Sequence, residues 1–339
     1  MSRQNLPLGK LPAPLLAQLL EATPIRDSQV LMGPGVGLDC AIVEVGEKLL
    51  VLKSDPITFT TEDIGWYLVQ INANDIATTG GQPRWLLVTL LLPDGKTTEE
   101  SASKIFRQVV EAAEQIGVTV IGGHTEITYG LDRPLAMGTL IGEVERSKLV
   151  TPRGARPGHR LLFTKGMAVE TTAIAAREFS ERLAPFLDEM ELATAADYLR
   201  NPGISVLLDA QVALGAGEVS AMHDPTEGGL AAALWELAEA CGYSLVIDRA
   251  SIPISTLSNK ICLTLGIDPI ATISSGSLLL TAPLPDSDKI KNALQDAGIQ
   301  CAEIGRLEVG PPVVWLEEEQ GRTKLSRPER DEIARLFEL

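Results

Sequence analysis

Four carboxylates lie at or near the ends of predicted elements, beside glycines or in polar turns. They are Asp39 after the glycine-rich segment 33–37, Asp55 in "KSDP", Asp75 in "NANDIATTGG" and Glu126 in "GGHTEIT". A hard cation such as Mg²⁺ takes carboxylate oxygens together with waters and the phosphates of a bound nucleotide. The set therefore indicates a metal and phosphate site, although Asp39 and Asp55 also suit ordinary turns.

Asp75 is the least easily explained as a surface residue. It follows Ile71 by four positions on a predicted helix, which places it on the apolar face with Asn72 and Asn74 beside it. A carboxylate in such a place must be paired, hydrogen-bonded or metal-bound, because burial of a free charge is costly. The position favours a functional role.

The stretch "GVTVIGGHTEIT", residues 117–128, predicts a short apolar strand that enters a turn at Gly122 and Gly123. Glycines allow a close approach of the backbone, and the polar residues that follow could grip a ligand. His124 and Glu126 are two apart, so in an extended segment they face the same side. The alternative is an ordinary turn at the end of a strand, which is compatible with the same sequence.

The stretch "HDPTEGGL" predicts a strand, a turn and a helix start. Thr226 is placed to cap a helix that begins near Gly228, whose free amides and positive dipole end suit an anion. An ordinary capped helix is the alternative. The usual phosphate motifs fail, since "GPGVGLD" lacks the last glycine of G-x-G-x-x-G and "DGKTT" has Leu90 where a P-loop needs its first glycine.

Composition excludes several classes of protein. The 339 residues carry 29 Lys and Arg against 45 Asp and Glu, a net charge of −16, which argues against nucleic acid and anionic membrane surfaces as partners. No apolar run approaches the ~18 residues of a membrane span. The four cysteines are too scattered for a zinc site or a disulfide framework and are expected to be buried small residues. The expected location is cytoplasmic.

The hydrophobic period switches between 2 and 3.6, which indicates mixed α and β structure in about two domains. "CAIVEVGEKLLVLK" predicts a hairpin, residues 62–79 a helix, "WLLVTLLLP" a buried strand, and Thr97 with Glu100 the capping box of a second helix. Pro, Gly and Arg in "SKLVTPRGARPGHR" place the domain boundary there, giving domains 1–153 and 154–339.

Five ordered motifs resemble one ATP-binding family. "GLDCAIVEV", "SDPITF", "NANDIATTGGQPRWLL", "GGHTEIT" and "MHDPTEGGLAAAL" are similar in order and spacing to the family of aminoimidazole ribonucleotide synthetase, selenophosphate synthetase, thiamine monophosphate kinase and the hydrogenase-maturation carbamoyl dehydratase. The hydrogenase-maturation branch is the most similar. The resemblance covers nearly the whole chain.

The resemblance implies an α+β protein of two domains. The N-terminal α+β domain would be ferredoxin-like and would dimerise through its sheet, with a barrel formed across the homodimer, and a C-terminal α+β domain would follow. The implied cofactors are ATP and Mg²⁺, bound in a cleft with the metal held by Asp39, Asp55 and Asp75. The candidate nucleotide-binding residues are Gly35, Asn72, Asn74, Gly122, Gly123, Thr226, Gly228 and Gly229.

Two departures from the family pattern limit what is carried over. The tail "RDEIARLFEL" has no cysteine, whereas the hydrogenase-maturation enzyme carries its carbamoyl group on a tail cysteine. The turn that usually presents an acid after its glycines presents His124, and either His124 or Glu126 replaces that acid. His124 and His223 are the candidates for proton transfer.

The expected function is an ATP- and Mg²⁺-dependent enzyme that phosphorylates or activates an amide-type or hydroxyl oxygen of a small molecule. The alternatives are a divergent hydrogenase-maturation factor and a non-catalytic nucleotide-binding dimer in a maturation complex. Both alternatives are compatible with a protein partner. The acceptor, and whether ADP or AMP is released, cannot be read from the residues, because pocket shape decides them.

Overall fold

The computed structural model describes Leu6, residues 9–58 and residues 60–338, apart from the side chain of residue 13. The chain separates into two compact units. The N-terminal unit comprises Ile25–Gly33 and Asp39–Leu149, and the C-terminal unit comprises Val150–Leu339 together with Met1–Pro24 and Pro34–Leu38. The change of unit after Leu149 lies near the predicted boundary, but the described part of the first 24 residues and the loop 34–38 belong with the C-terminal half.

The N-terminal unit is a six-stranded sheet of order β1-β2-β3-β6-β4-β5 with two helices. Its strands are β1 (Val30–Met32), β2 (Ala41–Val45), β3 (Lys48–Ile57), β4 (Gln82–Pro93), β5 (Thr119–Thr128) and β6 (Leu135–Val144), and its helices are α2 (Ile64–Thr78) and α3 (Glu99–Gln115). Only the β4 and β5 pair is parallel.

Both helices cover one face of this sheet. Burial alternates strictly along β6, so one side of the strand faces the helices and the other is only half-buried. Helix α2 is buried nearly all round, which explains why its polar residues need partners. Helix α3 is amphipathic, and its cap is Thr98 with Ser101, so the predicted box of Thr97 with Glu100 was wrong by one position.

The two glycines of the opening motif lie inside a strand, so the predicted turn at Gly122 and Gly123 was wrong. Strand β5 continues to Thr128, with an irregularity beside Leu86 and Leu87 of β4. A Cβ on Gly123 would lie 1.7 Å from the carbonyl oxygen of Val88, so only glycine fits this close approach of two strands.

The C-terminal unit is a seven-stranded sheet of order β13-β12-β9-β11-β7-β10-β8 surrounded by helices. Its strands are β7 (Arg160–Thr164), β8 (Ala221–His223), β9 (Ser244–Asp248), β10 (Leu279–Ala282), β11 (Cys301–Glu308), β12 (Val314–Glu318) and β13 (Gly321–Lys324). Its helices are α1 (Ala13–Glu21), α4 (Val169–Glu178), α5 (Ser180–Leu183), α6 (Glu189–Asp197), α7 (Leu207–Ala216), α8 (Gly229–Cys241), α9 (Thr256–Leu265) and α10 (Leu284–Asp296).

The core of this unit forms where α8 packs on the sheet. Leu230, Leu234 and Leu237 of the helix lie among buried side chains of β7, β9, β10, β11 and β12. Strand β8 is followed by a turn and by α8, as the stretch "HDPTEGGL" predicts. Among the described residues, no helix is long and apolar enough to cross a membrane.

Candidate functional site

Two of the predicted metal ligands meet around a lysine in the N-terminal unit. The Nζ atom of Lys53 lies 3.2 Å from Oδ2 of Asp55 and 3.2 Å from Oδ2 of Asp75. The side chain of Asp75 is 3% exposed and that of Asp55 is 33% exposed. We call Asp39, Asp55 and Asp75 the acidic cluster, because Asp39, just ahead of β2, also acts electrostatically on Lys53.

The sequence places these groups together through strand and helix periodicity. Lys53 and Asp55 are two residues apart on β3 and share the face that α2 covers. Asn72 of α2 fixes the distance, since its Oδ1 accepts a hydrogen bond of 3.0 Å from the amide of Asp55. The Nδ2 of Asn72 donates to the carbonyls of Leu68 at 2.8 Å and Asp55 at 3.4 Å. Asn72 thus holds β3 against α2.

The charges of the acidic cluster act strongly on Lys53. Burial alone would lower the pKa of Lys53, but Asp75, Asp55 and Asp39 outweigh that effect and hold its pKa well above the usual range. The ammonium is therefore a permanent positive charge. Its position also shows that the acidic cluster suits a cation with oxygen neighbours, which is the donor chemistry that Mg²⁺ requires. Asn74 is fully buried next to Asp75.

His124 and Glu126 do not join the acidic cluster within one chain. They pair with Thr89 and Leu91 of β4, which lie on the side of the sheet away from the helices. Asp55 points to the helix side, so the two sets project from opposite faces. His124 Nε2 lies 3.1 Å from Glu126 Oε2, and both side chains are exposed, which confirms that they face the same way.

The predicted anion site at the start of α8 has its own internal partners. The N-cap is Gly228, not Thr226, and the Thr226 hydroxyl instead accepts from Lys10 Nζ at 3.1 Å. The Gly228 amide donates to Asp331 Oδ2 at 2.6 Å, and the Gly229 amide donates to the Thr226 carbonyl at 2.9 Å. The capping prediction was wrong because a distant carboxylate, Asp331, takes the role. Nucleotide binding by Thr226, Gly228 and Gly229 stays a prediction, as it does for Gly35 in the loop 34–38.

His223 is buried at the end of β8 and pairs with an acid that the sequence did not single out. Its Nε2 lies 2.7 Å from Oε2 of Glu236, which is on α8. His223 and Asp224 are 3% and 1% exposed. A carboxylate on one ring nitrogen fixes the orientation and tautomer of an imidazole, as in many proton-transfer sites. The signal for Glu236 was weak, since it appears as one polar residue in an apolar helix.

Two further buried acids lie near the start of α8. Burial raises the pKa of Glu170 to about 7, although the Ser275 amide donates to its Oε2 at 3.3 Å. Burial also raises the pKa of Asp331 to about 6, against the hydrogen bonds from the amides of Gly228 and Ile333. The pKa values of both carboxyls are close enough to neutral pH for each group to exchange a proton there.

Three of the four cysteines are buried as the sequence predicts. Cys40, Cys262 and Cys301 are buried, and Cys241 is half-buried. Burial raises the pKa of Cys262 to about 12 and that of Cys301 to about 12, and it also raises the pKa of Cys241. Such thiols stay protonated and unreactive at neutral pH.

Family models match both units of the chain. The N-terminal domain of AIR synthase related proteins matches residues 37–144, and the C-terminal domain of the same family matches residues 156–315. The chain belongs to the AIR synthase related family. The resemblance seen in the motifs is thereby confirmed, as is the α+β class with two domains.

Curated relatives span most of this chain. A Methanocaldococcus jannaschii protein named for hydrogenase expression/formation, MJ0676, is 28% identical over 313 residues, which cover 89% of this chain and 90% of that protein. The carbamoyl dehydratase HypE of Cupriavidus necator is 29% identical over 74% of this chain and 70% of its own length. The thiamine-monophosphate kinase of Pyrococcus abyssi is 27% identical over 78% of each chain.

Solved structures share the fold. HypE in complex with ATP superposes with a TM-score of 0.71 at 21% identity, covering 91% of this chain and 89% of that one. A chain of a HypE–HypF complex superposes with a TM-score of 0.73 at 20% identity, covering 92% of this chain and 99% of that one.

Proposed function

We propose that this protein is an ATP- and Mg²⁺-dependent enzyme that transfers the γ-phosphoryl group to an oxygen of a small molecule. The acidic cluster supports the proposal, because the carboxylates of Asp55 and Asp75 lie together around a cationic group in the domain that the family's N-terminal model matches. A relative in this family is solved with ATP, which supports the nucleotide.

Asp39, Asp55 and Asp75 would hold the metal. A bound Mg²⁺ would neutralise phosphate charge and orient the nucleotide, as it does in other phosphoryl-transfer enzymes. The chain's own residues have separate tasks. Asn72 keeps Asp55 at a fixed distance from α2.

His223 is the proposed proton acceptor. In the transfer, the acceptor oxygen bonds to the γ-phosphorus, the bond from that phosphorus to the bridging oxygen breaks, and ADP leaves. The acceptor's proton moves to His223, whose orientation Glu236 fixes at 2.7 Å. Proton transfer by His124 stays a prediction, since within one chain it lies with Glu126 on the opposite face of the sheet from the acidic cluster.

A divergent hydrogenase-maturation factor is the second candidate function. The names of relatives such as MJ0676 and HypE favour it, and HypE is solved with HypF, so a protein partner fits this reading. Cys262 and Cys301 are buried, and burial raises the pKa of each to about 12, which weighs against a carbamoyl group carried on either thiol.

Nucleotide turnover against a panel of acceptors tests the proposal. Amides, ribonucleotides and alcohols would be incubated with the protein, ATP and Mg²⁺, and products identified by ³¹P NMR and mass spectrometry. We expect release of ADP that depends on one acceptor class and on Mg²⁺. Binding of ATP without turnover across the panel would instead indicate the non-catalytic dimer, and a carbamoylated thiol would indicate the maturation factor.

A further inference from the structure

The acidic cluster already contains a cation of the chain's own, Lys53. Its Nζ lies 3.2 Å from Asp55 and 3.2 Å from Asp75, which are two of the three proposed metal ligands. Its side chain is only 14% exposed, so water screens these contacts poorly. The proposed reaction gives Lys53 no task, although it lies at the centre of the site.

The position of Lys53 is built into the fold. The residue alternation of β3 puts Lys53 and Asp55 on the helix-facing side, and Asn72 ties that part of the strand to α2. Asp75 is held by its place on the buried helix α2. An exposed lysine would swing away from such a cluster at little cost, but this one is enclosed by the sheet and the helix.

The charges of the cluster set how many ions it can take. Asp39, Asp55 and Asp75 carry three negative charges, and Lys53 compensates one of them. Its positive charge opposes the entry of a second cation among these oxygens. Without the lysine, the same oxygens would attract a divalent ion strongly even when no nucleotide is present.

We propose that Lys53 is a resident cation of the acidic cluster, which takes the place of a divalent ion in the nucleotide-free protein and keeps the affinity of the cluster for free divalent ions low. This inference rests on the proposed function in one respect only, that the three carboxylates are metal ligands. A purely structural ion pair is the competing explanation, and it predicts a loss of stability on removal of Lys53 with no gain in metal affinity.

Titration of nucleotide-free protein with Mn²⁺ separates the two explanations. Wild type, Lys53→Met and the control Lys48→Met would be compared by calorimetry and by electron paramagnetic resonance at low ionic strength. Lys48 is on the same strand, but its side chain is 68% exposed and pairs with Glu143 at the surface. We expect Lys53→Met to bind Mn²⁺ about tenfold more tightly than wild type and Lys48→Met to match wild type. Equal or weaker binding by Lys53→Met would overturn the proposal.

Thermal unfolding followed by circular dichroism shows whether Lys53→Met is still folded. In metal-free buffer, Lys53→Met is expected to have a lower melting temperature than wild type. Addition of Mn²⁺ should raise the melting temperature of Lys53→Met more than that of wild type, because ligand binding stabilises the folded state. If Lys53→Met is unfolded both with and without Mn²⁺, the Mn²⁺ titration is carried out on Lys53→Arg instead. Since arginine keeps the charge, its Mn²⁺ affinity should stay near that of wild type, and tighter binding would contradict the proposal.

The outcome also separates this inference from the proposed function. If wild type and Lys53→Met bind Mn²⁺ with the same affinity, the inference on Lys53 fails while the metal site stands. If neither binds Mn²⁺, even with ATP present, the assignment of the three carboxylates as metal ligands fails, and the inference fails with it.

Discussion

Asp75 is a buried carboxylate on an apolar helix face, and the structure gives it a cationic partner in Lys53. We predict that Asp75→Asn removes most Mg-ATP binding, because asparagine keeps the size of the side chain but lacks the charge that faces the metal. Loss of the ion pair should lower the free energy of unfolding by about 1–3 kcal/mol, since Lys53 keeps Asp55 as a partner.

Isothermal calorimetry with Mg-ATP and chemical denaturation check this prediction together. Asp132→Asn, at a fully exposed position, is the matched control and should leave both quantities unchanged. Equal Mg-ATP affinity in Asp75→Asn and wild type would remove Asp75 from the metal site.

The cysteines are predicted to take no part in chemistry. A variant with all four replaced by Ala or Ser should lose about 1–3 kcal/mol of unfolding free energy per well-buried site, because small cavities and unpaired hydroxyls are costly. Nucleotide turnover per folded molecule should be retained. Loss of turnover from any single replacement in a folded protein, or a thiol adduct in mass spectrometry, would refute the oxygen-acceptor mechanism.

Sequence reasoning found most acidic residues of the site but missed the groups that pair with them. Asp75 could be recognised because a carboxylate at helical spacing among apolar residues needs an explanation. Lys53 could not be recognised, since the sequence of β3 does not tell which face of the strand the helices cover. Asp331 was missed because its contact with the amide of Gly228 joins positions 103 residues apart.

Helices and strands with a long, regular hydrophobic period were predicted well, whereas the irregular pairing between strands was not. The hairpin of β2 and β3, the helix α2 and the strand β4 follow from hydrophobic period and turn residues. Strand β5 was cut short in the prediction, because two glycines usually end a strand. Here they permit a close approach to β4, which depends on a partner strand that the local letters do not specify.

The start of α8 depends on a backbone that only glycine adopts easily. Gly229 has φ of +59°, and a Cβ there would lie 2.4 Å from the carbonyl oxygen of Thr272. Gly229→Ala should therefore cost more than about 2 kcal/mol of unfolding free energy. Gly215→Ala, inside α7 with open space around it, should instead stabilise by about 0.5–1 kcal/mol. Urea denaturation of both variants measures this, and equal effects would show that the turn tolerates a side chain.

The first turn of α4 carries a pH-dependent cost through Glu170. Between the ordinary glutamate pKa of about 4.3 and about 7, the unfolded chain releases this proton while the folded chain keeps it. Rising pH therefore lowers the free energy of unfolding across that range. Glu170→Gln, which stays neutral, should match wild type at about pH 4, below the unfolded pKa, and be more stable by up to about 3 kcal/mol at pH 8.

Urea denaturation at the two pH values tests the role of Glu170. The exposed Glu189, in the first turn of α6, provides the control, and Glu189→Gln should show no such gain at pH 8. A pH dependence in Glu170→Gln that equals that of wild type would place the titrating group elsewhere.

In the whole N-terminal unit, no helix of the described residues covers the second face of the sheet. Residues of β3, β4 and β6 on that face are apolar and only partly covered, among them Leu50, Leu52, Leu87, Met137 and Ile141. An apolar surface of this kind marks an interaction site, and a second copy of the same sheet offers an equally apolar face.

We therefore predict a homodimer formed through this open face, with a mass in light scattering of twice the 36.3 kDa of one chain at micromolar concentration. Leu87→Glu places a charge in the middle of the face and should shift the protein to monomers, because a buried unpaired carboxylate costs several kcal/mol. Val110→Glu is the control, since Val110 is similarly exposed, on α3, and therefore on the helix-covered side of the sheet. It should leave the dimer intact. A wild-type mass of a single chain, or dissociation caused equally by both variants, would show that the open face does not pair two copies, and His124 and Glu126 would then lie at a free surface.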